Sequence, residues 1–173
     1  MYRRSGSDPL DPRYTRLTDK FPDSVMVWGA FGYHGQGELV VLPRNENLNK
    51  NTYLELLCDH LPECFEVCQT DILMQDGAPC HTARDVQQWL KDCQVDFIVD
   101  WPGNSPDLNP IENLWAIIKR GLRQHDTRTI PQLIEAVQHV WRNIDPQHLK
   151  NLADSVPKRL KECLKKKGRP LKY

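Results

Sequence analysis

Residues 100–115 read D-W-P-G-N-S-P-D-L-N-P-I-E-N-L-W, and this stretch decides how the rest of the sequence is interpreted. Asn109 is a favourable N-cap, and Pro110 suits the first position of a helix. From Ile111 onward apolar residues recur at helical spacing, which predicts an amphipathic helix with Glu112 in its first turn. The stretch therefore places a carboxylate where a proline-rich loop becomes a helix.

A second carboxylate, Asp76, lies just after the short apolar run Ile72-Leu73-Met74. Two carboxylates at the ends of elements, with rigid loops around them, are suited to an oxygen-ligated metal ion. Ordinary structural roles fit the same residues. Asn109 and Glu112 have the spacing of a capping box, and an aspartate before a glycine is a common turn residue. The spacing alone leaves both interpretations open.

Apolar runs predict four strands, at residues 25–31, 38–42, 71–75 and 95–99. The first and third read as buried strands covered on both faces. Since helical patterns separate the later runs, the sequence favours an α/β domain in which all four strands share one sheet.

Helical periodicity predicts a helix from about Asn51 that Pro62 limits, and a second over residues 83–92. Thr129 begins a capping box for a later amphipathic helix, and Asp145 caps another. A separate last helix is predicted to start at Ser155.

The chain has 173 residues, 39% of them apolar and 27% charged, which suits one globular domain. No run is long and apolar enough to predict a membrane span. The net charge of zero conceals an asymmetry. Residues 158–173 carry eight basic residues and one acidic residue, a net of +7, whereas the rest carries 15 basic and 22 acidic residues, a net of −7.

Six cysteines are spread through the chain without the spacing of a disulfide framework. His60, Cys64 and Cys68 recur every four residues, so one helix would align three zinc ligands. Pro62 interrupts that helix pattern, and buried or incidental thiols are the favoured interpretation.

Two motifs carry a family resemblance: Q-D-G-A-P-C-H at 75–81 and W-P-G-N-S-P-D-L-N-P-I-E-N-L-W at 101–115. Together they resemble the catalytic domain of Tc1/mariner transposases. The similarity extends to S-V-M-V-W-G-A-F from Ser24 and S-V-P-K-R-L from Ser155. The resemblance implies an α/β, ribonuclease-H-like mixed sheet flanked by helices, with a helical C-terminal extension. It also implies Asp76 and Glu112 as the second and third members of an Asp-Asp-Glu triad that binds Mg²⁺ or Mn²⁺.

The sequence departs from the family pattern in three places. Asp76 and Glu112 stand one residue further apart than is commonest, and Gly77 replaces a usual asparagine. The family's first catalytic aspartate lies upstream of the segment that resembles residues 3–30. We therefore expect an extended arm at 1–23, a catalytic domain without its first strand at 24–157 and a basic tail at 158–173.

Four further residues are expected to support the site. His81, five residues after Asp76, is expected to bond near the metal or to contact DNA. Trp101 is expected to pack at the junction of strand and loop, and Asn109 and Asn113 to shape the loop. The alternative for His81 is a loop histidine bonded to backbone. In the tail, four residues are the expected DNA contacts: Lys165, Lys166, Lys167 and Arg169. Non-specific phosphate contact or nuclear targeting is favoured there over minor-groove recognition of the AT-hook kind.

Two classes of function follow. The first is a metal-dependent DNA transposase that cleaves transposon ends and joins them to target DNA in the nucleus. The second is a catalytically dead, transposase-derived module that binds DNA or protein. With two of three carboxylates recognised, we expect this chain not to cleave DNA above background. DNA is the expected partner, with no membrane and no small-molecule substrate. An unpaired strand edge at 25–31 would favour self-association.

Overall fold

Two separate pairs of short strands and five helices make up the part of the chain that the computed structural model describes, which is residues 24–44, 46–102 and 105–171. The strands are β1 Val27–Trp28, β2 Val40–Val41, β3 Ile72–Leu73 and β4 Asp96–Phe97. The helices are α1 Lys50–Cys68, α2 Arg84–Asp92, α3 Ile111–Gly121, α4 Ile130–Arg142 and α5 Pro146–Lys165, with a 3-10 turn at Leu122–Gln124 after α3.

The two strand pairs differ in direction. β1 pairs antiparallel with β2, placing Val27 opposite Val41, whereas β3 runs parallel to β4. The prediction that all four strands share one sheet is therefore wrong for the described residues. Adjacent strands must lie about 4.8 Å apart to bond, and a cavity of about 610 Å³, lined by both β1 and β3, lies at this position instead.

The strands are also shorter and less covered than predicted. Ile72 in β3 is 55% exposed, and Met26 just before β1 is 43% exposed. Leu73 is buried. β3 therefore has a covered face at Leu73 and an open face at Ile72, whereas both residues of β1 are half-buried.

Two hydrophobic clusters hold the elements together. The first packs α3 and α4 against the β1–β2 hairpin and the start of α5, and the second packs α1 and α2 against β3. Their buried members are Leu39, Leu114, Ile118, Val137, Trp141, Ile144 and Leu149 in the first, and Tyr53, Leu57, Leu61, Leu73, Val86 and Leu90 in the second. The residues that lead to Asp76 and to Glu112 are thus anchored in different clusters.

Trp141 joins the hairpin to the helical layer. Its ring stacks on Trp115 with centroids 5.7 Å apart, and its indole N–H donates to the Gly37 carbonyl at 2.8 Å. The Gln36 amide in turn donates to the Trp141 carbonyl at 2.8 Å. The two bonds fix the hairpin on α4, and the stacked rings connect α4 to α3, the helix that carries Glu112.

Two helices continue through prolines at which the sequence predicts a helix boundary. α1 continues through Pro62 to Cys68, and α5 is continuous through Pro157. Residues on both sides of each proline are buried, Leu61 and Cys64 in α1 and Leu149 and Arg159 in α5. Tertiary packing therefore outweighs the loss of one helical hydrogen bond at each site.

The predicted caps at Thr129 and Asp145 are confirmed. Thr129 and Gln132 form a full capping box, and the Asp145 carboxylate accepts the Gln147 N–H at 2.8 Å. No helix in the described segments is both long enough and apolar enough to cross a membrane.

Candidate metal centre

Asp76 lies in the turn that follows β3, and one of its two carboxylate oxygens is fully engaged. Oδ1 accepts the Ala78 N–H at 3.0 Å and faces Nδ1 of His81 at 2.7 Å. Among the described residues, Oδ2 has no hydrogen-bond partner, and the side chain is 47% exposed. Asp76 therefore has a fixed orientation and a free oxygen.

His81 is itself held by a buried polar group. Its ring lies 4.3 Å from the Tyr53 ring. The Tyr53 hydroxyl donates to Gln75 Oε1 at 2.7 Å, and Gln75 Nε2 donates to the His81 carbonyl at 3.3 Å. Burial raises the pKa of Tyr53 well above its usual range, so its hydroxyl remains a donor. These contacts hold the His81 ring beside the Asp76 carboxylate, which is where the sequence predicts a supporting residue.

Glu112 lies in the first turn of α3 and is exposed. α3 begins at Ile111, one residue later than predicted, so Pro110 rather than Asn109 directly precedes it. Asn109 is buried, and its side chain still accepts the Ile111 N–H at 3.3 Å. The second half of a capping box is absent, because within the described ranges the Glu112 carboxylate forms no hydrogen bond. Glu112 is therefore free to bind a ligand.

The two carboxylates border one cleft. A cavity of about 320 Å³ separates the turn after β3 from the loop before α3. Its lining consists of Asp76, Gly77, Ala78, Ser105, Pro106, Asn109 and Glu112. Hard carboxylate oxygens without protein partners are the donors that Mg²⁺ and Mn²⁺ prefer. The described residues fit such an ion but supply two acidic ligands, since they contain no cluster of three acidic, histidine or cysteine side chains.

Sequence reasoning missed Arg159 at this site. Its guanidinium is buried, at 2% exposure, and it donates to the Asp107 carbonyl at 2.9 Å and to Asn113 Oδ1 at 2.8 Å. Arg159 belongs to the S-V-P-K-R-L motif, which could have marked it as a site residue. Because many lysines surround it, the sequence pattern groups it with the basic tail instead. The prediction that Asn113 shapes the site remains consistent with this contact.

The other predicted residues are not among those that line the cleft. Trp101 is half-buried, and its indole N–H has no partner among the described residues. Lys165 ends α5, Lys166 pairs with Glu162 at 2.8 Å, and Arg169 is exposed. The predicted basic tail is therefore helical as far as Lys165, and within it Lys166 is partly neutralised.

The cysteines do not form a zinc centre in the described segments. Cys64 and Cys68 are buried, and burial raises the pKa of both thiols, that of Cys64 to about 11. Zinc binds the thiolate, so a raised pKa opposes coordination. The His60 ring instead lies 6.1 Å from Trp28.

Comparisons with known proteins identify the family of this chain. The family model described as DDE superfamily endonuclease matches residues 1–134. The Tcb2 transposase of Caenorhabditis briggsae is 32% identical over 174 residues, which is 99% of this chain and 63% of that protein. The Tc3 transposase of Caenorhabditis elegans is 32% identical over 154 residues, or 87% of this chain and 46% of that protein. The chain thus spans less than two thirds of these relatives.

Solved structures give the fold. The Mos1 transposase catalytic domain, solved with raltegravir and Mg, superposes with a TM-score of 0.75 at 20% identity, covering 86% of this chain and 77% of that one. A Mos1 paired-end complex with Mn gives 0.81 at 21% identity, covering 99% and 52%. These likenesses confirm the ribonuclease-H-like α/β fold. The chain therefore belongs to the DDE superfamily endonucleases, and its matches place it with the catalytic domains of Tc1/mariner transposases.

Proposed function

We propose that this domain binds Mg²⁺ or Mn²⁺ through Asp76 and Glu112 and acts on the phosphodiester bonds of DNA as part of a transposase. The observation that carries the proposal is the shared cleft, in which each carboxylate keeps an oxygen without a hydrogen-bond partner among the described residues. The similarity to transposases, and the solved structures of Mos1 transposase with Mg or Mn, support it. They do not favour the alternative of a binding module without chemistry.

Divalent ions bound there would activate a water molecule and stabilise the leaving 3′ oxygen of DNA. The protein's part is to hold the ligands in place. Ala78 and His81 bond Oδ1 of Asp76, so its Oδ2 is the atom available to an ion. Glu112 is placed by the capped start of α3. Because each carboxylate is supported by a different hydrophobic cluster, packing of the two clusters sets their separation.

A third carboxylate is needed for full activity on this proposal. Mg²⁺ binds weakly to small sets of carboxylates and keeps several waters. The described residues supply two, and the aspartates at 8, 11, 19 and 23 lie outside the described residues. We therefore keep the prediction that the chain of 173 residues cleaves DNA no faster than background.

DNA is the proposed partner, held by its phosphates. Lys165, Lys167 and Arg169 are exposed near the end of α5, and neutralising phosphates with such residues gives binding that falls steeply with salt. The paired-end complexes of Mos1 support self-association on DNA. In a eukaryotic host, a domain that acts on chromosomal DNA would do so in the nucleus.

The test is a nicking assay on supercoiled plasmid with Mg²⁺ or Mn²⁺, beside a salt-titrated DNA-binding assay. We expect background nicking, and weak binding that disappears as salt rises. Nicking that is lost in both Asp76→Ala and Glu112→Ala would support the proposed chemistry and would overturn the expectation of inactivity. Nicking that persists in both variants would overturn the assignment of these residues.

A further inference from the structure

Arg159 is a buried cation whose bonds lead to the Glu112 turn. A guanidinium without partners is costly to bury, so its acceptors determine where it can lie. Nε donates to Ser155 Oγ at 2.9 Å within α5, which aligns the side chain along its own helix. The other two guanidinium nitrogens donate to acceptors outside α5. Nη1 donates to the Asp107 carbonyl at 2.9 Å, and Nη2 donates to Asn113 Oδ1 at 2.8 Å.

These two acceptors lie on either side of Glu112. Asp107 belongs to the loop before α3, and Asn113 directly follows Glu112 in the first turn. The planar guanidinium holds its donors in a fixed geometry, which a lysine cannot reproduce. One rigid group thus fixes the spacing between the loop and the helix start, and the Glu112 backbone lies between the fixed points.

A second bond from the C-terminal segment holds the same loop. The Leu171 N–H donates to Asp107 Oδ2 at 2.7 Å, and the Leu171 side chain is buried, at 8% exposure. Asp107 is therefore held through its carbonyl by α5 and through its carboxylate by the residues after α5. Its side chain is used in this contact and lies apart from the pair of carboxylates in the cleft.

We propose that Arg159 is a positioning residue that sets Glu112 opposite Asp76, so that the segment from Arg159 to Leu171 is part of the metal site's framework. This inference rests on the proposed metal-binding function of Asp76 and Glu112. It acts through Asn113 and the Asp107 carbonyl, since Arg159 itself has no place in the lining of the cleft.

The test compares Arg159→Lys and Arg159→Met with Lys161→Met, which removes an exposed cation from the same helix. Amide hydrogen exchange reports the order of the turn, and the electron paramagnetic resonance signal of free Mn²⁺ reports binding. In both Arg159 variants we expect exchange at Leu108, Glu112 and Asn113 to quicken about tenfold or more. Mn²⁺ affinity should fall by about tenfold, the size seen when a group supporting a ligand is removed. The Lys161 control should match the wild type.

Asn113→Ala tests the route of the effect. It should reproduce part of the change seen in Arg159→Lys, and the double variant should be little worse than Arg159→Lys alone, because the bond between Arg159 and Asn113 is already lost there. Additive effects would overturn the proposed route.

Arg159→Lys retains the charge and most of the volume, so it decides the matter if Arg159→Met does not fold. Unchanged exchange and unchanged Mn²⁺ affinity in Arg159→Lys would overturn the proposal. If the wild type binds no Mn²⁺, the proposed function fails, and exchange at Glu112 alone then supports or overturns the ordering role of Arg159.

Discussion

Nδ1 of His81 lies 2.7 Å from Oδ1 of Asp76, and the same oxygen accepts the Ala78 N–H at 3.0 Å. The two contacts saturate one side of the carboxylate and fix its rotation. A histidine that bonds a metal ligand in this way orients it for coordination. His81 therefore matters for geometry at the proposed centre, whether or not it touches DNA.

His81→Ala should lower Mn²⁺ affinity by about tenfold or more, since Asp76 would lose the contact that fixes its rotation. Free Mn²⁺ can be followed by electron paramagnetic resonance. His139→Ala is the matched control, because His139 is an exposed histidine in α4 whose ring contacts His125. Equal affinities for the wild type and His81→Ala would mean that Ala78 alone orients Asp76.

Tyr53→Phe should reduce the free energy of unfolding by about 1–2 kcal/mol, because it leaves Gln75 Oε1 without its buried donor. Urea denaturation measures the change. Tyr33→Phe is the control, as Tyr33 is 42% exposed and should lose little. A Tyr53→Phe variant as stable as the wild type would show that the hydrogen bond to Gln75 adds nothing to the fold.

Gly37→Ala should destabilise the domain by about 2 kcal/mol or more, a typical cost of overpacking. A Cβ at Gly37 would overlap Sγ of Cys64 on α1. Adding Cys64→Ala removes that atom, so the double variant should lose less stability than the sum of the two single changes. Strict additivity in urea denaturation would contradict the close contact between hairpin and helix.

Stability should fall at alkaline pH through Cys64. Burial raises the pKa of its thiol to about 11 in the folded chain, so the folded state holds this proton more tightly than the unfolded state does. The contribution is complete below the ordinary thiol pKa and is lost as pH rises to about 11. Between pH 8 and 11, the Cys64→Ala variant should therefore lose less stability than the Cys58→Ala variant. Cys58 is exposed and serves as the control, and thermal melts measure the stability of both variants.

Local sequence patterns predict the turn at Asp76 and the helix whose first turn holds Glu112, because each depends on residues close together in the chain. The roles of Asp76 and Glu112 at a metal ion stay predictions. Long-range contacts decided the rest. Nothing local distinguishes Arg159 from the surrounding lysines, since its acceptors at Asp107 and Asn113 are remote in sequence. Pro157 similarly marks a boundary locally, whereas packing keeps α5 continuous.

The strand pairs show the same limit of local patterns. An apolar run predicts a strand but not its neighbour, and for the described residues the cavity between β1 and β3 separates the two pairs. Ile72 is apolar, yet it is exposed, because no described element packs over its face of β3.

Asp76 and Glu112 are proposed to bind one divalent ion together. Paramagnetic broadening by Mn²⁺ in nuclear magnetic resonance spectra of the isotope-labelled chain is the most direct test of this shared site. If the ion is shared, the amide signals of Ala78 and Asn113 broaden together at the same Mn²⁺ concentration. A shared site also predicts that Asp76→Asn or Glu112→Gln alone abolishes both effects, whereas Asp154→Asn, at an exposed acid on α5, abolishes neither. Broadening of Ala78 that survives Glu112→Gln, or of Asn113 that survives Asp76→Asn, would contradict a shared site.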